Sequence, residues 1–172
     1  MNIEKNKNAT DTLFERESMM KVKEHNKLDL RNLISLRRSG HASEFSVHTE
    51  RLLAYIAAHG AKKIGGGVSA TYAIDGDKAD IEIYFPIDKE IPSTDEFIFK
   101  PRLYLENCLK ISHKGDPQLL EHTMQKLNEY ITSNRLTPIS AGFNVTVREI
   151  MEPKDLDLFE VDVYISISPN VL

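Results

Sequence analysis

The phrase "DIEIYFPI" at residues 80–87 returns eighty residues later as "EVDVYISI" at residues 160–167. In both phrases an aliphatic or aromatic residue occupies every second position, which is the period of a β-strand with one buried face. The residues between these positions include an acid and a tyrosine in each copy: Glu82 and Tyr84, then Asp162 and Tyr164. The recurrence predicts two similar structural units, so the fold must contain the same arrangement of elements twice.

The similarity extends upstream of these phrases. A shift of 75 residues aligns the preceding segments of the two halves without a gap. Several identical residue types then meet: Leu30 with Leu105, Asn32 with Asn107, Gly40 with Gly115, Leu52 with Leu127, Tyr55 with Tyr130, and Gly67 with Gly142. Chance agreement of two amphipathic patterns is the alternative, but glycines and tyrosines in register favour an internal repeat.

Apolar spacing predicts the order strand, helix, strand, strand in each half. The elements of the first half cover residues 28–38, 43–60, 68–75 and 80–87. Those of the second half cover residues 102–112, 116–134, 142–150 and 159–167. The organisation predicted from these elements has four parts: an N-terminal extension (1–27) that is flexible or a short helix, a first repeat (28–88), a linker (89–101) and a second repeat (102–168).

One helix covers only one face of a three-stranded sheet, so the other face of each sheet needs a partner. The other half of the chain is the obvious partner. We therefore predict an α+β fold in which two β-α-β-β repeats, each an antiparallel sheet with one helix, are related by a pseudo-two-fold axis. The two units would enclose a central cleft, and such clefts are a preferred place for small-ligand sites.

The acids and tyrosines of the two phrases are the candidate site. If the aliphatic rows face the helices, then Glu82, Tyr84, Asp162 and Tyr164 point into the cleft. A carboxylate that is partly removed from water needs a cation or a hydrogen-bond donor, and tyrosine rings attract cations. These residues predict a site for a small amphipathic or cationic aromatic molecule, with Tyr72 assisting. The alternative is an outer strand face that simply meets water.

Other features narrow the classes of function. The net charge is −4 with both signs mixed along the chain, which argues against a nucleic-acid partner. No apolar run is long enough to cross a membrane, and the polar N-terminus does not read as a signal peptide, so we expect a cytoplasmic protein. The single cysteine, Cys108, forms no intramolecular disulfide. It reads as a small apolar filler, or as a lining residue if it faces the cleft.

Metal and cofactor sites are not predicted. The six histidines contain no His-x-x-x-His pair. The glycine run "IGGGVSA" (64–70) precedes a strand and lacks the Lys-Ser/Thr of a phosphate loop, so close backbone packing is the better interpretation.

The phrases "RRSG" (37–40) and "SHKG" (112–115) lie before the helices, and "EIYFP" (82–86) lies at the end of the first half. With these phrases, the repeated order strand, helix, strand, strand resembles the GyrI-like small-molecule-binding domain. This fold is also the effector-binding domain of multidrug-sensing transcription activators. The resemblance covers residues 28–168 and implies that Glu82, with Asp162 as its shorter counterpart, contacts the ligand. The second copy departs from the family pattern, because Ser166 stands where proline is expected.

The resemblance implies a ligand-binding protein without its own DNA-binding domain, since only about 27 residues precede the first repeat. We expect a stand-alone member, monomeric or homodimeric, without a cofactor. Two alternatives stay open. One is a protein–protein adaptor or inhibitor, either gyrase-inhibitor-like or linked to secretion. The other is a hydrolase of reactive cyclopropane-bearing compounds, which the absence of tryptophan and the shortened second acid make less favoured.

Overall fold

The strands and helices follow the predicted order. The computed structural model describes residues 21–150 and 152–169. Its main elements are β1 (Lys23–His41), α1 (Phe45–Ala58), β2 (Val68–Asp75), β3 (Lys78–Pro86), β4 (Phe97–Lys114), α2 (Leu120–Ser133), β5 (Gly142–Arg148) and β6 (Glu160–Ser166). Short 3-10 helices cover Ala42–Glu44, Pro117–Leu119 and Pro153–Leu158. The α+β class predicted from the sequence is confirmed.

The six strands form one closed antiparallel barrel in the order β1-β3-β2-β5-β6-β4. We predicted two separate three-stranded sheets, and this part of the prediction is corrected. The halves are joined by hydrogen-bonded ladders between β1 and β4 and between β2 and β5. Closure gives each described strand a neighbour on both sides, which reduces the exposed backbone groups that two separate sheets would present.

The joining strands are longer than predicted. β4 begins at Phe97, upstream of the strand expected from residue 102, and β1 begins at Lys23 rather than at residue 28. The added residues form much of the ladder between the halves, in which Leu36 lies opposite Phe97. The remainder of the predicted N-terminal extension, residues 1–20, lies outside the described residues.

Two asparagines precede the points where the long strands gain a second partner. Asn32 and Asn107 have φ angles of +52° and +51°, in the left-handed region that asparagine tolerates better than most residues. Pairing with β3 begins at the residue after Asn32, and continuous pairing with β6 begins at the residue after Asn107. The positive φ values therefore coincide with the positions at which β1 and β4 begin to pair with β3 and β6.

The helices cover the outer face of the barrel on two sides. Leu52 and Ile56 of α1 belong to an apolar cluster with Ile83 and Phe85 of β3. Leu127 and Ile131 of α2 belong to the corresponding cluster with the helix-facing residues of two strands, which are Leu109 and Ile111 of β4 and Val161, Val163 and Ile165 of β6. Each fully buried aliphatic side chain stabilises the fold by roughly 1.5–3 kcal/mol. The predicted division of the β3 and β6 faces is therefore confirmed.

A third cluster fills the inside of the barrel. Its buried members are Leu28, Leu33, Val68, Ala70, Tyr84 and Phe143. Side chains commonly fill the interior of a small barrel, because the space within is only wide enough for them. The region where a cleft was predicted thus contains the protein's own side chains. Among the described residues, no helix has both the length and the apolar character that a membrane crossing requires.

Candidate functional site

A buried carboxylate lies inside the barrel, against two tyrosines. Glu82 and Tyr84 are alternate residues of β3 and are 5% and 1% exposed. The Tyr84 hydroxyl donates to Glu82 Oε2 over 2.6 Å. The Tyr72 hydroxyl, from β2, lies 3.1 Å from the same carboxylate oxygen and 2.9 Å from the Tyr84 hydroxyl. Strand alternation and the β2–β3 ladder thus bring together three residues predicted from the sequence.

The other oxygen of this carboxylate is bound to a lysine. Lys100 Nζ of β4 lies 2.5 Å from Glu82 Oε1. The same ammonium lies 4.9 Å from the centroid of the Tyr84 ring, within the range of a cation–π contact. Lys100 therefore occupies an acid-plus-aromatic environment suited to an organic cation.

The charge states of the pair follow from its surroundings. Burial by itself would raise the pKa of Glu82, but hydrogen bonds from Lys100, Tyr84 and Ser35 outweigh it and hold the pKa below the ordinary value. Burial, together with the bond to Glu82, raises the pKa of Tyr84 well above that of a free tyrosine. At neutral pH the site therefore holds an ionised carboxylate and a neutral tyrosine that donates to it.

Arg37 and Tyr72 form the boundary of this site toward solvent. The Arg37 guanidinium carbon lies 3.9 Å from the centroid of the Tyr72 ring. The guanidinium is held by Asp80, with Nε 3.0 Å from Oδ1 and the terminal nitrogen 2.6 Å from Oδ2. Tyr72 is 40% exposed, whereas Glu82 behind it is almost fully buried. Access to the carboxylate from this side requires the stacked pair to move.

A second acid of the barrel has a similar environment. Asp162 is 8% exposed and accepts a hydrogen bond from Ser112 Oγ over 2.5 Å. Its other oxygen, Oδ2, lies 2.6 Å from Lys110 Nζ. That ammonium is 5.5 Å from the centroid of the Tyr164 ring. Burial would lower the pKa of Lys110, but the contacts with Asp162 outweigh it and raise the pKa.

The two acid groups are linked by aromatic side chains of the interior. Phe143 of β5 lies with its ring centroid 6.2 Å from that of Tyr84. It also lies opposite Tyr164 in the β5–β6 ladder. Cys108 is fully buried, and its Sγ lies 3.8 Å from the carbonyl oxygen of Glu106. Burial raises the pKa of the Cys108 thiol, so the thiol is neutral at pH 7.

The sequence prediction missed the cations of the site. Lys110 could have been found, because it alternates with Cys108 on the strand predicted at 102–112 and a buried acid requires a counter-charge. Lys100 fell within the predicted linker, where no alternation was assigned. Arg37 carried no signal of its own, because an arginine next to another arginine before a helix reads as a solvated surface.

A surface pocket elsewhere on the barrel has a volume of about 580 Å³. Tyr104, Glu106 and Ile139 are among its lining residues, and it contains none of the six residues predicted for the site. Glu106 forms an exposed ion pair with Lys27 at 2.8 Å. The pocket therefore lacks the buried charge that distinguishes the interior site.

Comparison with known proteins gives matches by structure only. No protein-family model matches the sequence, and no curated protein matches it significantly. The EcmrR–DNA complex in EcmrR-RPo matches with a TM-score of 0.69 and 11% identity, covering 95% of this chain and 63% of the EcmrR chain. The present chain thus spans less than two thirds of that protein.

Two further solved structures match most of their own length. The C-terminal domain of EcmrR has a TM-score of 0.64 and 11% identity, with 86% of this chain and 98% of the domain covered. SAV2435 bound to tetraphenylphosphonium has a TM-score of 0.53 and 11% identity, with 87% and 93% covered. At these identities the likeness shows the fold, and it supports the GyrI-like fold predicted from the sequence.

Proposed function

We propose that the protein binds a small amphipathic or cationic aromatic molecule inside the barrel, with Glu82 as its charge partner. One observation carries this proposal: the carboxylate is buried, ionised and adjacent to the Tyr84 ring, and an ammonium group already lies against both. The fold shared with SAV2435, whose structure contains the lipophilic cation tetraphenylphosphonium, supports the same class of ligand.

The chemistry of the site favours cations that also bring apolar surface. An ion pair in a poorly hydrated interior is stronger than the same pair in water, provided that its hydrogen bonds are satisfied. Each aromatic face adds about 0.5–2 kcal/mol of cation–π attraction. A ligand that enters past Tyr72 and Arg37 would move these two side chains aside, and both are partly exposed, which lowers the cost of moving them.

The second half would play a supporting part in this proposal. We treat the two halves as β-α-β-β repeats around one interior, so that Asp162 and Tyr164 are the counterparts of Glu82 and Tyr84. Asp162 is one methylene shorter than a glutamate and is already bound by Ser112 and Lys110. It therefore contributes less to ligand binding than Glu82, and Cys108 contributes only packing surface.

Calorimetric titration with tetraphenylphosphonium and a panel of aromatic dye cations tests the proposal. We expect saturable binding of at least one cation, weakened roughly 10- to 100-fold in Glu82→Gln through loss of the charge-assisted contact. Asp29→Asn is the matched control, because Asp29 is a surface acid paired with Arg102 at 2.7 Å. Failure of the entire panel to bind at millimolar concentration would refute the proposal.

A second candidate is a protein–protein adaptor, and one observation favours it. The barrel axis is filled by Tyr84, Phe143 and the aliphatic residues around them, as an interior without a ligand role would be. This candidate requires a stable complex with a protein partner, and the substitution Glu82→Gln should leave that complex intact. Co-purification of wild type and variant with the same partner, together with no cation binding, would select it over the ligand-binding proposal.

A further inference from the structure

We propose that Lys100 is a built-in competitor for the ligand site, so that a cationic ligand binds by displacing its ammonium group from Glu82. The inference rests on the proposed function and identifies how that site is regulated. Lys100 Nζ meets both features that a ligand cation would use, the carboxylate at 2.5 Å and the Tyr84 ring at 4.9 Å. Two cations cannot occupy this position together.

Lys100 is able to leave the site. Its side chain is 33% exposed, whereas that of Glu82 is 6% exposed. The ammonium ends a flexible four-carbon stem, so rotation about side-chain bonds moves it into water while the β4 backbone remains in place. Lys110, the cation of the second acid, is more enclosed at 21% exposure. The first site is therefore the one from which the lysine is released more easily.

The pair also supplies the counter-charge that the buried carboxylate needs when no ligand is bound. A buried carboxylate that has no counter-charge is strongly destabilising. Lys100 supplies that charge from within the chain, at a high effective concentration because it is tethered. A ligand must therefore interact with Glu82 and its surroundings more favourably than Lys100 does.

This competition determines which cations bind. Replacing one ammonium by another at Glu82 exchanges equivalent charge contacts and yields little gain. Additional affinity must come from apolar and aromatic surface that the ligand buries against the interior cluster, whose members include Tyr84 and Phe143. We therefore infer selectivity for lipophilic organic cations over small hydrophilic amines and inorganic cations.

The test compares tetraphenylphosphonium binding to wild type, Lys100→Gln and Lys100→Met by calorimetry. Removal of the competitor is expected to tighten binding roughly 10- to 100-fold, which corresponds to one charged hydrogen bond. Lys27→Gln is the control for net charge, because Lys27 forms an exposed ion pair with Glu106 and not with Glu82. The gain should disappear when Glu82→Gln is added to Lys100→Gln.

A measurement on the wild type keeps the inference testable if the variants fold poorly. Reductive methylation of lysines, followed by mass spectrometry, reports the accessibility of each ammonium. Saturating tetraphenylphosphonium should increase the methylation rate of Lys100 several-fold and leave that of Lys110 unchanged. An unchanged or reduced rate at Lys100 in the saturated protein would overturn the inference.

The outcomes separate the inference from the function on which it rests. Equal or weaker binding by Lys100→Gln, with clear binding by wild type, overturns the competitor role and leaves the ligand-binding function intact. No binding by wild type or by either Lys100 variant overturns the proposed function together with the inference. Tighter binding by Lys27→Gln to the same extent assigns the gain to net charge and also overturns the competitor role.

Discussion

Tyr84→Phe removes one hydroxyl group from the interior site and leaves the rest of the side chain in position. The phenyl ring would still fill the apolar cluster that Tyr84 shares with Phe143 and Val68. The lost group is the donor of the 2.6 Å hydrogen bond to Glu82 Oε2. The substitution therefore removes this charge-assisted hydrogen bond together with the 2.9 Å contact to the hydroxyl of the partly exposed Tyr72.

The expected loss follows from the burial of both partners. Tyr84 and Glu82 are 1% and 5% exposed, so water cannot replace the missing donor without entering the barrel. A hydrogen bond to a charged group contributes about 1.5–3 kcal/mol. For a domain of this size, each kcal/mol lowers Tm by roughly 2–4 °C, so the midpoint should fall by about 3–12 °C.

Urea unfolding measures the loss of free energy and thermal unfolding measures the fall in Tm, both followed by circular dichroism, with Tyr72→Phe as the matched variant. The Tyr72 hydroxyl is 3.1 Å from the same carboxylate oxygen, and the residue is 40% exposed. Water can take its place, so the expected loss is only about 0.5–1 kcal/mol. Equal losses in the two variants, or a loss below about 0.5 kcal/mol in Tyr84→Phe, would refute this account of the site.

The same variant has a defined pH dependence. The pKa of Glu82 is lower in the folded protein than in the unfolded chain. Its stabilisation is therefore fully present above the unfolded value of about 4.3 and is lost as the pH falls through the folded value. The stability difference between wild type and Tyr84→Phe should be complete at pH 7 and should narrow below about pH 4. A difference that stays constant over this range would contradict an ionised acceptor.

Two further predictions concern the second acid and the glycine run. The pKa of Lys110 is higher in the folded protein than in the unfolded chain, so the stabilisation from its ion pair is present below the unfolded pKa and is lost as the pH rises through the folded pKa. Denaturant unfolding should therefore show Asp162→Asn about 1–3 kcal/mol less stable than wild type at pH 7. This difference should shrink towards about pH 11. A Cβ on Gly66 would lie 1.9 Å from the carbonyl oxygen of Thr146, so Gly66→Ala should lower stability by about 2–3 kcal/mol or more in the same assay. Gly65→Ala is the control, since its Cβ would meet only a side chain at 3.4 Å and should change stability by less than about 1 kcal/mol.

Local periodicity was sufficient to orient the strand residues of the site. The alternation in 80–87 assigned Ile83 and Phe85 to the helix and Glu82 and Tyr84 to the opposite face, and the structure has this arrangement. A strand has two faces, and the side that carries aliphatic residues must be the side that the helix covers. The close backbone approach inferred for the glycine run is likewise confirmed at Gly66.

Closure of the barrel could not be predicted in the same way. It depends on pairing between β1 and β4, which are distant in the sequence, and on the length of those strands. Residues 97–101 read "FIFKP", and the proline weakens this short segment as a strand signal, because proline cannot donate a hydrogen bond to a ladder. The prediction of two sheets and the omission of Lys100 therefore have one common cause.

The two acid–lysine pairs differ in the strands that they connect. Lys110 and Asp162 lie on neighbouring strands, β4 and β6, whose backbones are already hydrogen-bonded to each other. Lys100 and Glu82 lie on β4 and β3, which are separated in the barrel by β1. The Lys100–Glu82 pair therefore joins strands from different halves of the chain that share no backbone ladder. A ligand that displaces Lys100 would break this contact between the halves while it makes its own contact with Glu82, whereas occupation of the Asp162 site would disturb only strands that the sheet holds together.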